Sequence, residues 1–279
     1  MNQTCTLDGV SFQLKEAHDF SFLRAYGRVF KVFDDQDSGN ICFGCQKGGE
    51  RFFIKYAGAK TMRGCISPEA AADNLRKTVL LYTVLQHENL IELLDTFETY
   101  GDFGMVFCWT DAQCMGRQYP EAHARFMQME NIKKLDVFAA AQRFMAYVHS
   151  KGYVAIDFYD GSIMYDFASG QTLICDIDFF RPKPCVNDMG RMWGSSRFQA
   201  PEEYQLGADI DERTNVYTLG ALAFALFAGY QRTPEHWQLQ DAAFEIARKA
   251  TSDDPACRQP SIWHFMQEWR MALANMKFA

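Results

Sequence analysis

The chain has 279 residues, which at roughly 100–200 residues per domain allows one large domain or two smaller lobes. Lys and Arg number 28 against 35 Asp and Glu, so the formal net charge is −7. Hydrophobic residues make up 48% and charged residues 23%, a globular composition that excludes wholesale disorder. The acidic balance argues against nucleic acid or an anionic membrane as the main partner, because both attract clustered Lys and Arg.

Nothing in the sequence indicates secretion or a membrane span. The N-terminus lacks a basic region followed by an apolar stretch, so no signal peptide is predicted. The longest apolar run, residues 219–229, is much shorter than the roughly 20 residues of a spanning helix, and it predicts a buried core helix. The nine cysteines are scattered without a CxxC pair, which indicates mostly reduced core thiols. We therefore expect a cytoplasmic protein that does not contact membranes.

The first hundred residues read as strands around one helix. Three segments rich in β-branched and aromatic residues, separated by turn formers, predict a meander over residues 29–33, 41–45 and 52–56. Ser67-Pro68-Glu69 is typical of a helix start, and apolar residues at helical spacing continue to residue 86. Two further strands are predicted at residues 90–97 and 104–109.

The second half is mainly helical. Apolar residues from 135 to 148 lie on one face of a long helix that ends near Lys151-Gly152. Short apolar runs at 162–165 and 172–176 predict a hairpin, and the pattern beyond Glu202 is helical. The fold class is therefore α+β, with a small β-rich lobe over residues 1–109, a larger helical lobe over residues 110–279 and a connection near residues 108–116.

The segment Gly-Ser-Ser-Arg-Phe-Gln-Ala-Pro-Glu at 194–202 resembles the end of the activation segment of protein kinases. The resemblance covers about residues 20–275 and implies a bilobal protein-kinase-like fold. It also implies a buried ion pair between Glu202 and Arg258, although two unrelated surface charges are the alternative. Residues 214–220 are similar to the start of the family's central helix, with Asn215 where the family usually has Asp.

Residues 149–157 look like the approach to the kinase catalytic loop, which implies that Asp157 is the catalytic base. Ala155 and Ile156 replace the family's His-Arg pair, and Ile156 cannot bind an activation-segment phosphate as Arg does. Ser162 occupies the position of the metal-binding Asn. A hydroxyl is the poorer Mg²⁺ ligand, and Asp160 is a candidate to compensate.

Residues 174–178, Ile-Cys-Asp-Ile-Asp, resemble the Asp-Phe-Gly metal motif and imply that Asp176 binds the metal. Asp178 replaces the Gly and is a candidate substitute ligand, and Asp178-Phe179-Phe180 is an alternative register for the motif. The expected cofactors are ATP and Mg²⁺ or Mn²⁺, because the phosphates need a hard, oxygen-ligated cation.

In the small lobe, Phe53-Ile54-Lys55 is similar to the strand that carries the ATP-binding lysine. Residues 37–44 fit the phosphate-covering loop with Gly39 and Gly44, although a simple hairpin turn explains them almost as well. The family's lysine-pairing Glu is Thr78 here, so Lys55 needs another anion, either Asp176 or the phosphates. The adenine is expected near the backbone of Cys108 and Thr110.

These patterns predict an ATP- and divalent-metal-dependent phosphotransferase resembling Ser/Thr protein kinases, with a protein as substrate or partner. The departures Thr78, Ala155-Ile156, Ser162 and Asp178 cluster at the nucleotide site, so a pseudokinase scaffold, with or without nucleotide, is the alternative. A small-molecule phosphotransferase of related fold is a third reading, disfavoured by the Ala-Pro-Glu run.

Overall fold

A computed structural model describes residues 3–36 and 38–274. The chain forms two compact units: a sheet unit, Met1–Gln86 with Ile91–Asp111, and a helical unit, His87–Leu90 with Ala112–Ala279. Asp37, in the predicted phosphate-covering loop, lies outside the described residues. The predicted α+β class is confirmed.

The sheet unit is built on a five-stranded antiparallel sheet with strand order β3-β4-β5-β7-β6. Its elements are β1 (Gln3–Leu7), β2 (Val10–Leu14), β3 (Arg28–Phe33), β4 (Asn40–Lys47), β5 (Glu50–Ala57), α1 (Pro68–Val84), β6 (Leu93–Thr99) and β7 (Asp102–Cys108). The predicted meander and the two later strands are confirmed. However, β6 begins three residues later than predicted, because Leu90 is bridged to Ile174 within the helical unit.

One face of this sheet carries the apolar core of the unit. Ile41, Phe43, Ile54 and Tyr56 are fully buried there. The hairpin β1–β2 and the short 3₁₀ helix Ser21–Tyr26 contribute the residues that pack against them, namely Phe12, Leu14, Phe20 and Leu23. The hairpin was not predicted from the sequence, because three of the five side chains of β1 and two of the five side chains of β2 are exposed.

Helix α1 begins as predicted. Ser67 caps it by accepting a hydrogen bond from the Ala70 amide at 3.2 Å, and Pro68 occupies the first helical position. The helix packs against the strand β7, where the rings of Tyr82 and Phe107 lie 5.0 Å apart edge-to-face.

The helical unit contains seven short β-strands and a set of helices. These are β8 (Gln113–Cys114), α2 (Pro120–Met127), α3 (Asn131–Ser150), β9 (Tyr153–Val154), β10 (Ile163–Tyr165), β11 (Thr172–Ile174), β12 (Arg181–Pro182), β13 (Cys185–Val186), β14 (Asp209–Ile210), α4 (Glu212–Ala228), α5 (Asp241–Ala250) and α6 (Ile262–Leu273), with β8 joining the β10–β11 hairpin as its third strand. Helix α2 was not predicted, because its eight residues bury only Phe126.

Helix α4 is the core of the helical unit. Nearly all of its side chains are buried, and α3, α5 and α6 pack around it. The apolar run at 219–229 is therefore a buried helix, as predicted. Within residues 3–36 and 38–274, no helix combines the length and the hydropathy required to cross a membrane.

The predicted ion pair between Glu202 and Arg258 is confirmed. Arg258 Nη1 donates to Glu202 Oε1 at 2.6 Å and Nη2 donates to Oε2 at 2.9 Å, and both side chains are buried. Thr214 donates its hydroxyl to the same carboxylate at 2.7 Å. The pair is a bidentate, charge-assisted contact that joins the Ala-Pro-Glu segment to the turn before α6.

We expect Arg258→Ala to destabilise the helical unit by about 3–5 kcal/mol, because Glu202 would remain buried without its counterion. Denaturant unfolding followed by circular dichroism measures this change. Arg248→Ala removes an arginine from an exposed pair with Glu245 and should change stability little. Equal losses in the two variants would contradict the assignment of Glu202–Arg258 as a buried structural pair.

Candidate functional site

Lys55 lies on β5, in register with Cys42 of β4 and Met105 of β7. Its face of the sheet is opposite to the face that carries the apolar core. Half-buried aromatic rings share this face, and we call them the aromatic cluster: Phe30, Phe33, Phe53 and Trp109. Lys55 therefore lies on the same face of the sheet as these rings.

The two glycines predicted to cover phosphate have different surroundings. Gly39 has φ +82° and is buried, and a side chain there would meet Ile66 and Ala71 within about 3.3 Å. Gly44 lies within β4, and a Cβ there would come within 2.8 Å of the rings of Phe30 and Trp109. Turn geometry and packing thus account for both glycines, and contact with phosphate stays a prediction.

The backbone near the predicted adenine site is partly engaged. The Cys108 amide donates to the Glu92 carbonyl at 3.1 Å, and the Trp109 amide donates to the Arg51 carbonyl at 3.2 Å. The Cys108 side chain is exposed and Thr110 is half-buried. The Cys108 N–H is therefore committed within the sheet unit, so any adenine contact at this residue needs another group.

Thr78 does not replace the missing acid of α1. Its buried hydroxyl donates to the Leu75 carbonyl at 2.8 Å and lies 3.2 Å from the Met105 sulfur. The hydroxyl satisfies its own helix, which is a common use of Thr within a helix. Thr78 offers no charge to a lysine, as the sequence indicated.

The loop before Asp157 is fixed to α4 by Asn215. The Asn215 amide accepts from the Ala155 N–H at 2.9 Å and donates to the Ala155 carbonyl at 2.7 Å. Ile156 is buried in an apolar cluster with Val154 and Met192. The loop is therefore held by an uncharged, two-point contact, and its residue 156 is unsuited to bind a phosphate.

Asp157 follows with φ +59°, a left-handed backbone conformation that is uncommon outside glycine. Its carbonyl accepts from the Ser162 hydroxyl at 3.3 Å, and that hydroxyl accepts from the Tyr159 amide at 3.4 Å. Ser162 is fully buried. These bonds commit the Ser162 hydroxyl to the loop, which weakens its case as a metal ligand.

Asp160, considered in the sequence as a substitute ligand, is instead buried beside Tyr230 and Arg197. Its Oδ2 accepts from the Tyr230 hydroxyl, and its Oδ1 lies 3.8 Å from Arg197 Nη2. Burial raises the pKa of this carboxyl, against the opposing effect of Tyr230 and Arg197. This environment does not support the substitute-ligand interpretation.

Asp176 has φ +58° and is exposed, and Asp178 is half-buried after the buried Ile177. Burial raises the pKa of the Tyr159 hydroxyl, and the negative charges of Asp157 and Asp176 raise it further. Both carboxylates thus act on one side chain of the helical unit. Left-handed residues other than glycine cluster at functional sites, where the surrounding structure imposes their strain.

A buried carboxyl that the sequence analysis did not identify lies beside Asp157. Glu203 lines a small pocket together with Asp157, Ser195 and Phe198. Burial raises the pKa of Glu203 to about 8, and the charges of Glu202 and Asp157 act in the same direction. Its Oε2 accepts from the Ala200 amide at 2.7 Å. The Ala-Pro-Glu motif identified Glu202 as the partner of Arg258, but nothing in the sequence indicated that the neighbouring Glu203 would be buried beside Asp157.

Tyr159, whose hydroxyl is affected by the charges of Asp157 and Asp176, was also not predicted from the sequence. Gly161 is the one local signal, because a Cβ at Gly161 would lie 2.2 Å from the Tyr159 ring. Glycine at position 161 therefore leaves the space that the Tyr159 ring occupies.

His87 has a structural role in the helical unit. Its ring packs against Phe144 at 5.5 Å and Tyr147 at 5.0 Å, and its Nδ1 accepts from the Asn89 amide at 3.1 Å. Burial lowers its pKa. These contacts explain why residues 87–90 belong to the helical unit although they follow α1 of the sheet unit.

Each unit by itself carries residues whose chemistry suits one part of a nucleotide with a divalent cation. The aromatic cluster offers ring faces for a base, and Lys55 offers a cation. Among the described residues, no group of three or more His, Cys, Asp or Glu side chains could hold a metal alone. Mg²⁺ is commonly bound by one or two carboxylates together with substrate phosphates, which is compatible with Asp176 as the principal protein ligand.

Comparison with known sequences gives a consistent match. The family model described as "Protein kinase domain" matches residues 37–269, which is most of the chain. Three relatives are kinases by name. Calcium-dependent protein kinase 5 of Plasmodium berghei (strain Anka) is 24% identical over 163 residues, 57% of this chain and 27% of that protein.

Serine/threonine-protein kinase TIO of Arabidopsis thaliana is 24% identical over 201 residues, 68% of this chain and 14% of that protein. Myosin light chain kinase, smooth muscle, of Gallus gallus is 20% identical over 234 residues, 79% of this chain and 11% of that protein. The matches thus span a quarter or less of most of these relatives, and they concern one domain.

The environment of Glu203 predicts a pH dependence of stability. The folded state retains a proton on Glu203 between the ordinary carboxyl pKa of about 4.5 and about 8, so stability should fall as pH rises through this window, by up to about 1.4 kcal/mol per pH unit. Glu203→Gln should match the wild type near pH 5 and exceed it at pH 9, measured by denaturant unfolding.

The matched control is Glu121→Gln, which removes an exposed carboxylate from α2 and should leave the pH slope unchanged. If Glu203→Gln retained the wild-type slope, the Glu203 carboxyl would not be the group that holds the proton.

Proposed function

Because this chain belongs to the protein kinase family, we propose that it is an ATP- and divalent-metal-dependent phosphotransferase. It moves the γ-phosphoryl group of ATP to a hydroxyl group of a protein, as Ser/Thr protein kinases do. The observation that carries this proposal is the pair of carboxylates Asp157 and Asp176, each on a left-handed backbone position and both acting on Tyr159.

Asp157 is the catalytic base of this proposal. Its carboxylate orients the acceptor hydroxyl and receives the proton as the oxygen–phosphorus bond forms and the γ-phosphoryl group leaves ADP. The rigid connection from Asn215 through Ala155 supports this role, because it fixes the backbone two residues before the base.

Lys55 and the residues near β7 would bind the nucleotide. The Lys55 ammonium pairs with phosphate oxygens. The backbone at Gly39 and Gly44 covers the phosphates in this proposal. The adenine lies against the aromatic cluster and the backbone near Cys108 and Thr110. Because the Cys108 N–H is already bonded to Glu92, the adenine contact there falls on other backbone groups.

The metal would be held by Asp176, with Asp178 as the nearest further carboxylate in the chain. Bound Mg²⁺ or Mn²⁺ would supply neutralisation of the charge that develops on the phosphates. Ser162 is the weakest member of the proposed ligand set, because its hydroxyl is engaged by the loop backbone.

A pseudokinase that acts as an interaction scaffold is the second candidate. Two observations favour it. Thr78 stands at the position of the family's lysine-pairing Glu, and Ser162 stands at that of the metal-binding Asn. Both residues donate their hydroxyl groups to nearby backbone carbonyls. A nucleotide site that lost these two groups would have fewer contacts to ATP and metal. Nucleotide binding therefore separates the two candidates best.

We expect ATP with Mg²⁺ or Mn²⁺ to raise the melting temperature of the wild type. Ligand at about 100 times its dissociation constant adds about 2.7 kcal/mol, which moves the transition by several degrees. Asp176→Ala should lose the metal-dependent part of this shift in melting temperature. Asp136→Ala, at an exposed site on α3, should keep it. No shift with either metal in any variant would favour the scaffold candidate.

We expect Asp157→Asn to reduce phosphate transfer by at least about a hundredfold, because the amide cannot accept the hydroxyl proton. Transfer from radiolabelled ATP to a mixed protein substrate measures it, with the thermal shift as a check on folding and binding. Asp136→Asn is the matched control. Equal residual activity in Asp157→Asn and in the control would contradict the role of Asp157 as base.

A further inference from the structure

Two arginine side chains lie against the ring of Tyr230, the second residue after α4, and a third adjoins them through a contact with the backbone of Arg197. The guanidinium carbon of Arg117 lies 5.0 Å from the ring centroid, and that of Arg197 lies 5.1 Å from it. Arg232 donates to the Arg197 carbonyl at 3.3 Å and to the Tyr217 hydroxyl at 2.9 Å. We call Arg117, Arg197 and Arg232 the arginine cluster.

The positive charge of this cluster is poorly compensated. Within residues 3–36 and 38–274, neither Arg117 nor Arg232 forms an ion pair with a carboxylate, although the chain carries a net charge of −7. Asp160 is the acid that lies near Arg197, at 3.8 Å, which is longer than a hydrogen bond. The cluster therefore has guanidinium N–H groups available for an anion.

Two buried polar atoms in the same place have no hydrogen-bond partner among the described residues: Asp160 Oδ1 and Arg197 Nε. The Asp160 side chain is 2% exposed, whereas that of Arg197 is 35% exposed. Arg197 Nε is a donor that an anion can satisfy, whereas Asp160 Oδ1 is an acceptor that needs a donor such as water. Arg197 is thus not fully engaged by Asp160 and can turn toward a second anion.

The backbone at Tyr230 is also unusual. Among the described residues of the helical unit, the non-glycine residues with positive φ are Asp157, Asp176 and Tyr230, with φ +72° at Tyr230. A bulky residue in this region is strained, and strain persists where the structure imposes it. The ring of Tyr230 is therefore fixed as the platform on which two of the guanidinium groups lie.

The arginine cluster lies close to Asp157. Phe198 lines the small pocket that contains Asp157, and its ring is 6.3 Å from the ring of Tyr230, edge-to-face. One aromatic ring thus separates the pocket from Tyr230 and its guanidinium groups. An extended peptide with its hydroxyl at Asp157 advances about 3.3 Å per residue, so that its flanking side chains can reach the cluster.

We infer that the arginine cluster binds an anionic side chain of the acceptor protein, a carboxylate or a phosphate, and so selects acidic acceptor segments. This inference rests on the proposed function for the position of the acceptor hydroxyl, but the binding itself requires no transfer. Planar guanidinium groups bind carboxylate and phosphate in bidentate geometry, which gives direction as well as affinity.

A larger basic cavity is a weaker candidate for such an anion. An open cavity of about 470 Å³ is lined by Arg232, Arg248 and Lys249. However, Arg248 pairs with Glu245 at 2.6 Å and Lys249 pairs with Glu268 at 2.7 Å. Two of these three cations are therefore neutralised by the protein, and the third, Arg232, already belongs to the arginine cluster.

The experiment compares fluorescent peptides that share one central serine and differ at flanking positions, which are all Glu, all Gln, or Gln with one phosphoserine. Fluorescence anisotropy gives their affinity for the wild type, for Arg117→Gln/Arg197→Gln and for Arg270→Gln. Arg270 is exposed on α6 and serves as the matched control. Low and high salt are compared, because screening weakens such contacts.

The wild type and Arg270→Gln should bind the Glu peptide at least about tenfold more tightly than the Gln peptide, because hydrogen bonds to a charged group are stronger than those between neutral groups. The double variant should lose this preference. A stronger effect of the single phosphoserine than of the glutamates would identify phosphate as the preferred anion. Equal affinity for all peptides in the wild type, or a preference that the double variant retains, would overturn the inference.

Phosphate transfer to the same peptides separates this inference from the proposed function. Charge-selective, arginine-dependent binding without transfer would leave the anion site in place and refute the phosphotransferase. Transfer at equal rates to the Glu and Gln peptides, without selective binding, would refute the anion site and leave the phosphotransferase in place.

Discussion

The buried pair of Glu202 and Arg258 is the contact on which the surroundings of Asp157 depend. Arg258 also donates to the backbone carbonyls of Arg213, Ser252 and Asp253. Removing two charges from water is costly, and such a pair is stable only when nearly every remaining donor and acceptor is satisfied. That requirement fixes three chain segments at one point: the Ala-Pro-Glu turn, the start of α4 and the turn before α6.

Helix α4 transmits this rigidity to the catalytic-loop region through Asn215. A carboxylate could accept the Ala155 N–H but would face the Ala155 carbonyl with a negative charge. The amide pairs with both groups and stays neutral at every pH. The replacement of the family's Asp by Asn therefore changes the type of anchor, and the loop keeps two buried hydrogen bonds without needing a counterion.

The departures from the family pattern share one physical feature. Thr78 and Ser162 are short hydroxyl side chains that bond to nearby backbone atoms, so each is satisfied without a ligand. Glu203 and Asp160 are buried carboxyls whose pKa values burial raises. Within the helical unit, the region near Asp157 thus contains buried acid and a Ser162 hydroxyl that is bonded to the loop, whereas the guanidinium groups of Arg117 and Arg197 lie against Tyr230. This distribution of charge supports the inferred preference for an anionic acceptor segment.

The sequence by itself determined the strands of the main sheet, the start of α1, the buried run of α4 and the Glu202–Arg258 pair. These features rest on local periodicity, capping residues and one long motif. Tertiary structure alone decided that Asn215 meets Ala155, that Asp160 meets Tyr230, and that Arg117 and Arg197 meet at the ring of Tyr230. Asn215 and Asp160 each have a partner at least 60 positions away in the chain. The packing of whole segments, which no local pattern encodes, determines which charge or amide a polar side chain finally meets.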